Sequence, residues 1–238
     1  MVVITGMAAP PRDVIDHWSK ADQENFAHDV EQKRLEVLKR LHDLKLSLTP
    51  WEQAYFAASA ATMSAQQQFD ATWRLESFQV LAWALGAIDK LPTYDSVAST
   101  DVLKAFPIGD TSSAILSAKL RPKADIDRGR DAAELWHWRS RTRQLVERGD
   151  PFPGTAEMRA AGIKSYDDVI RLSAKQAAKD GVTTVVDDDF SLRGKAYRNL
   201  TADEWAEVDG ITQERHFAFN WLCGYAPQNH WDETPTDT

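Results

Sequence analysis

Apolar residues recur at spacings of three and four along most of the chain, the mark of amphipathic helices. Ser19 with Asp22 resembles a capping box. After it, Phe26, Val30, Val37, Leu41, Leu44 and Leu48 fall on one stripe, while Glu31, Glu36, Lys39, Arg40 and Asp43 point elsewhere. The pattern predicts a surface helix with one buried face. Thr49-Pro50 pairs a capping residue with a proline at the first helical position, starting a helix through Trp51, Tyr55 and Phe56 that continues or bends near Ser64. From about Gln66 to Asp89 the next helix becomes apolar on nearly every side, with Phe78, Val80, Leu81, Trp83, Leu85 and Ile88. Such a helix is the buried centre of a bundle, and Pro92 is expected to stop it.

Further along, the pattern predicts a short helix near Ser113 to Lys119 and a long one from Arg130 to Arg148. Two shorter helices follow, near Ala156–Ala161 and Ser165–Lys179, the second closed by Gly181. Val182-Thr183-Thr184-Val185-Val186 reads as a strand, Asp187-Asp188-Asp189 as its turn, and residues up to Tyr197 as its partner. Thr201 with Glu204 forms a capping box that opens a final helix reaching Cys223, with Gly224 as its stop. The tail from Ala226 is polar and extended, pinned by Trp231. The expected fold is mainly α: a helical bundle around a buried central helix at 66–89, with one small β-hairpin at 182–197 before the last helix. Residues 1–20 read as an N-terminal extension and 21–238 as a single helical domain.

Composition narrows the functions open to this chain. The 238 residues carry a formal charge of −8, which argues against general nucleic-acid binding and against docking on an anionic membrane. The apolar run Val80–Ile88 is far too short to span a bilayer. Cys223 is the single cysteine, so neither an intrachain disulfide nor a multi-cysteine zinc site can form. A cytoplasmic protein without metal or cofactor is the expectation.

The chemical motifs are incomplete. Glu134-Leu135-Trp136-His137 has the Glu-x-x-His spacing of di-iron bundles, but in one copy where two are needed; a solvated helix face is expected there. Counted from Asp187, the sixth and twelfth positions of a calcium loop hold Leu192 and Arg198 instead of Gly and Glu. Gly194-Lys195 lacks the glycine that a phosphate loop requires. His216 stands two helical turns from Cys223, about 10 Å away, so the thiol reads as a small buried hydrophobe. Residues 121–148 carry +3, leaving −11 for the rest. An anionic ligand would dock in this segment if anywhere. Arg130 with Glu134 and Arg143 with Glu147 instead have the spacing of ordinary helix-surface pairs. Nine tryptophans point to aromatic core packing.

Three blocks carry a family resemblance: Trp73-Arg74-Leu75-Glu76-Ser77-Phe78-Gln79-Val80-Leu81-Ala82-Trp83-Ala84-Leu85-Gly86, then Glu214-Arg215-His216-Phe217-Ala218-Phe219-Asn220-Trp221-Leu222-Cys223-Gly224, then Trp231-Asp232 with Thr234 to Thr238. In that order, from about Trp51 to the C-terminus, the chain resembles the bacterial domain of unknown function 4272 family. The resemblance implies a mostly helical protein and brings no activity or cofactor with it.

Glu76 and Arg215 each precede the most apolar part of a core helix. A charge in that position needs a partner, so the two are expected to pair, with Arg74 and His216 nearby at the rim. The expected function is a non-catalytic binding or protein-interaction module for a protein or small-molecule partner, using Arg74, Glu76, Arg215, His216 and Trp231. The alternative is an enzyme whose polar site is assembled from distant helices around Arg74, Glu76, Arg215 and His216.

Overall fold

Side-chain caps set where the helices begin. A computed structural model describes residues 12–58, 64–106 and 117–237. After the short α1 (Arg12–Asp16), Ser19 accepts the Asp22 N–H and opens α2 (Lys20–Asp43). Reciprocal capping boxes start α3 (Pro50–Ala57) at Thr49/Glu52 and α4 (Ala65–Ala84) at Ser64/Gln67. These caps satisfy N–H groups that a helix start otherwise leaves bare. Then come α5 (Lys123–Glu147), α6 (Ala156–Ala160) and α7 (Tyr166–Lys179). Strands β1 (Val185–Val186), β2 (Asp189–Leu192) and β3 (Lys195–Ala196) precede α8 (Ala202–Leu222). The protein is mainly helical, with one small antiparallel sheet before its last helix, as the pattern predicts.

Several boundaries differ from expectation for identifiable reasons. The apolar helix ends at Ala84 rather than near Asp89, because Gly86 takes φ +72° and closes it well before Pro92. The long basic helix starts at Lys123, directly after Pro122, and not at Arg130. The first long helix stops at Asp43, and Leu44, expected on its buried stripe, is 47% exposed. The tail is not extended: it makes 3-10 turns at Pro227–Asn229 and Trp231–Glu233 and buries Ala226 and Thr234. The helix expected near Ser113 lies largely outside the described residues.

The contacts group into two compact units: Met1–Lys90 with Ala98–Leu120 and Gly224–Thr234, and Leu91–Val97 with Arg121–Cys223 and Pro235–Thr238. In the first, α4 buries Ala71 and then Glu76 to Val80 almost without a break. Phe78 and Ala82 pack with Val102 of the Thr100–Ala105 3-10 turn and with Phe106 directly after it, and Val37 of α2 packs with Tyr55 and Phe56 of α3. Asp232 takes the Trp51 N–H at 2.9 Å and ties residues 224–234 into this unit.

In the second unit, α5 and α8 run antiparallel in close contact. A Cβ at Gly129 would stand 2.5 Å from the Phe219 ring, so glycine there permits the approach. The core gathers Trp136, Phe190, Tyr197, Leu200 and Val208, with Tyr94 stacked on Trp136 at 5.1 Å. The sheet order is β1-β2-β3, with Val186 facing Asp189 and Leu192 facing Lys195 across two-residue turns. All four turn residues, Asp187, Asp188, Arg193 and Gly194, have positive φ, as type I′ hairpins require.

Asp187 and Asp188 form the expected turn, whereas Asp189 is fully buried. Its carboxylate takes Arg139 Nε and Nη2 at 2.7 Å each, and also the backbone N–H groups of Phe190 and Arg198. Burial pushes the Asp189 carboxyl up, but Arg139 and the two N–H groups outweigh it and hold its pKa below the ordinary value. This ion pair locks the hairpin to α5.

Candidate functional site

Two matched polar stripes face each other on α5 and α8. On α5 they are His137, Arg141 and Gln144; on α8 they are Asp209, Gln213, His216 and Asn220. The spacings of three and four put each set on one side of its helix. His137 Nδ1 lies 3.0 Å from His216 Nδ1. Asn220 Nδ2 lies 2.9 Å from His216 Nε2 and donates at 2.9 Å to the Pro235 carbonyl. Arg130 Nε donates at 3.1 Å to Asn220 Oδ1.

The chemistry of the partners assigns every proton in this chain. Arg130 only donates and the Pro235 carbonyl only accepts, so the Asn220 amide has one workable orientation. Its N–H groups therefore point at His216 Nε2, which must carry a lone pair. The His216 proton then sits on Nδ1 and is donated to His137 Nδ1. That leaves His137 with its own proton on Nε2. Both rings are neutral in this arrangement, because an added proton on either would set two N–H groups against each other.

The surroundings favour the same neutral state. His216 is fully buried and His137 is 4% exposed. Burial first, then the neighbouring His137 ring and the Arg130 guanidinium, pull the His216 pKa down to about 4, against a smaller upward pull from its hydrogen bond with Asn220. Burial also lowers His137, against an upward pull from Asp209 and together with a smaller downward one from Arg141.

His137 opens onto a polar cavity of about 240 Å³, lined also by Arg141, Gln144, Asp209, Gln213, Thr236 and Asp237. Asp209 is held in place by the Ser140 hydroxyl and by Gln144 Nε2 at 3.3 Å; Trp205 Nε1 fixes Ser140 in turn at 3.1 Å. The cavity thus offers a fixed imidazole N–H and a guanidinium beside two carboxylates. It can take a solute that both donates and accepts hydrogen bonds.

The residues expected from the sequence fall as follows. In the first unit, Arg74 is half-buried over the Trp51 ring, 5.2 Å from its centroid, and Trp231 is half-buried beside Asp232. Glu76 is 2% exposed and accepts the Ala98 N–H. In the second unit, Arg215 is 1% exposed, donates to the Pro92, Thr93 and Ser96 carbonyls, and lies over the Tyr94 ring. His216, placed at a rim by expectation, is in the interior. His137 is likewise not on a solvated face: α8 covers it. Cys223 is half-buried, not buried, and its Sγ lies 3.8 Å from the Asp127 carboxylate. Burial and that negative charge push its thiol pKa up, the opposite of an activated nucleophile.

Of the residues lining the cavity or reaching it through the relay, only His216 is among those the sequence places in a site; His137 and Arg130 stand out in the sequence too, but as a solvated face and a helix-surface pair. The signal for the others was the pair of matched polar stripes. Among the described residues no group of three or more His, Cys, Asp or Glu side chains is placed to hold a metal, and no helix is long and apolar enough to cross a membrane. A family model described as Domain of unknown function (DUF4272) matches residues 17–162. The match begins well before Trp51 and ends before the two C-terminal blocks of the resemblance. Searches of curated proteins and of solved structures found no match.

Proposed function

The chain belongs to the domain of unknown function 4272 family, whose description states no activity, and from its geometry we propose that it is a binding module for a small polar solute. The site is the cavity between α5, α8 and residues 236–237. The observation that carries this reading is the relay from Arg130 through Asn220 and His216 to His137. Three buried or half-buried polar side chains, Arg130, Asn220 and His216, are spent on fixing one imidazole N–H at the wall of a cavity. A helix contact needs no such device, since apolar side chains fill the same space at lower cost. A preorganised donor is what a recognition site requires.

The cavity has room for about eight water volumes at ~30 Å³ each, the size of a free amino acid. Arg141 and the His137 N–H would receive a carboxylate or carbonyl oxygen, and Asp209 and Asp237 an amine or hydroxyl. The single Cys223 and acidic charge fit the cytoplasm of a bacterium as the place of action.

A second reading is favoured by the neutral histidine pair: the same N–H could polarise the carbonyl of a bound substrate by hydrogen bonding, the proton staying on the imidazole, making the protein an enzyme. A thermal-shift and calorimetric panel of free amino acids, small amines and polyols tests the binding reading. At least one class should bind saturably, and Asp209→Asn should abolish that binding. A panel without saturable binding, or binding that survives Asp209→Asn, would overturn it. Turnover lost in His137→Gln would decide for the enzyme.

A further inference from the structure

The opposite face of α5 carries a second cavity of different chemistry. Arg139, Arg143 and Val146 stand about 200° around the helix from His137, Arg141 and Gln144. With Ile170 and Asp167 of α7, Glu147 of α5 and Arg198, they line a space of about 180 Å³. Three arginines therefore line it.

The decisive group is Arg139. Its side chain is 2% exposed, and Nε and Nη2 are committed to Asp189. Its third nitrogen, Nη1, is buried and has no hydrogen-bond partner among the described residues. The guanidinium also lies over the Tyr197 ring, 4.5 Å from its centroid, which holds its plane but supplies no acceptor atom in that plane. A buried charged donor without an acceptor is costly and rare.

The other two arginines are fixed but not saturated. Arg143 donates through Nε to Glu147 at 2.7 Å and through Nη1 to the Tyr197 and Leu200 carbonyls at 3.3 and 3.1 Å; Nη2 takes no part in these contacts. Arg198 gives Nε to Asp189 at 3.3 Å and approaches Asp167 through Nη1 at 3.5 Å. The competing carboxylates facing the cavity, Glu147 and Asp167, are 48% and 79% exposed. Exposed partners of that kind hold a cation weakly, so a better anion can displace them.

We propose that this cavity is a binding site for a small oxyanion, a phosphate group, held by the forks of Arg139, Arg143 and Arg198. Phosphate oxygens match guanidinium forks two at a time. A tetrahedral anion offers acceptors to three of them at once, and a carboxylate does not. The volume, about six water volumes at ~30 Å³ each, admits phosphate with a few waters. The site is separate from the His137 cavity and does not depend on the function proposed there.

The test is calorimetric titration of the full chain with inorganic phosphate and, separately, with acetate, in a phosphate-free buffer at low ionic strength. Phosphate should bind saturably with one site per chain and at least about tenfold more tightly than acetate. Arg198→Gln and Arg143→Gln should each weaken it about tenfold, the loss of one charge-assisted contact. Arg148→Gln, at the C-cap of the same helix and paired with Asp150, should bind as the parent does. Arg139 is left intact, because its loss strands Asp189 and unfolds the hairpin. Using two variants guards against one of them misfolding, and each is checked by its unfolding curve without phosphate. Absence of saturable phosphate binding, equal affinity for acetate, or unchanged affinity in both well-folded variants would overturn the proposal.

Discussion

Acidification from pH 7 to pH 4.5 should destabilise the second unit through its buried His137–His216 pair. An unfolded histidine titrates near ~6.5, and His216 in the fold titrates at about 4. The folded value lies below the unfolded one, so between the two pH values the unfolded chain holds the extra proton. Stability is therefore complete above about pH 6.5, falls as the pH drops towards about 4, and is flat below that. The full difference of ~2.5 pH units corresponds to about 3–4 kcal/mol at ~1.4 kcal/mol each. Most of it is already lost at pH 4.5. His137, lowered in the same direction, adds to the slope. Asp189 acts in a separate window: its folded pKa is depressed, so its contribution is present above about pH 3.9 and fades only below it. Urea unfolding followed by far-UV circular dichroism at pH 7 and 4.5 reads the effect. With a slope of roughly 2–3 kcal/mol per molar urea, the midpoint should drop by about 1 M. In His216→Gln that drop should shrink to the His137 share. Equal midpoints at the two pH values, or a His216 imidazole titrating near 6.5, would refute the buried neutral pair.

Two further outcomes rest on the packing. Asp189→Asn leaves Arg139 charged and buried, so it should cost about 3–5 kcal/mol, read as a lower melting temperature; a loss under 1 kcal/mol would contradict a central role for the ion pair. Gly129→Ala sets a methyl group against the Phe219 ring and should cost about 1–3 kcal/mol through overpacking; unchanged stability would mean that α5 and α8 yield easily.

Periodicity and caps made most of the helices legible in the sequence. Ser19, Thr49, Ser64, Ser165 and Thr201 all cap where their spacing to the following acid or glutamine suggests. Ends were harder to place. At Gly86 a positive φ closes α4 inside a run that remains apolar to Ile88, and hydrophobic pattern alone does not register a change of backbone handedness. The site was hidden for another reason. His137, Arg141, Asp209 and Gln213 are polar residues at helical spacing, which ordinarily marks a solvated face. Two such faces turned towards each other give the same one-dimensional pattern as two turned towards water. Asp189 misled in the same way, since three consecutive acids read as a turn. Only two of them occupy it, and the alternation of the hairpin carries the third inward to Arg139.

The central claim is that His137 presents a fixed N–H to a ligand-binding cavity. Nitrogen-detected NMR of the histidine side chains at pH 7, during titration with the panel of amino acids, amines and polyols, tests it most directly. The account predicts neutral rings, protonated at Nδ1 in His216 and at Nε2 in His137. It further predicts that His137 Nε2 shifts saturably with one ligand class while the exposed His230 stays still. A His137 ring protonated at Nδ1 or at both nitrogens, or an Nε2 resonance that no member of the panel moves, would contradict it.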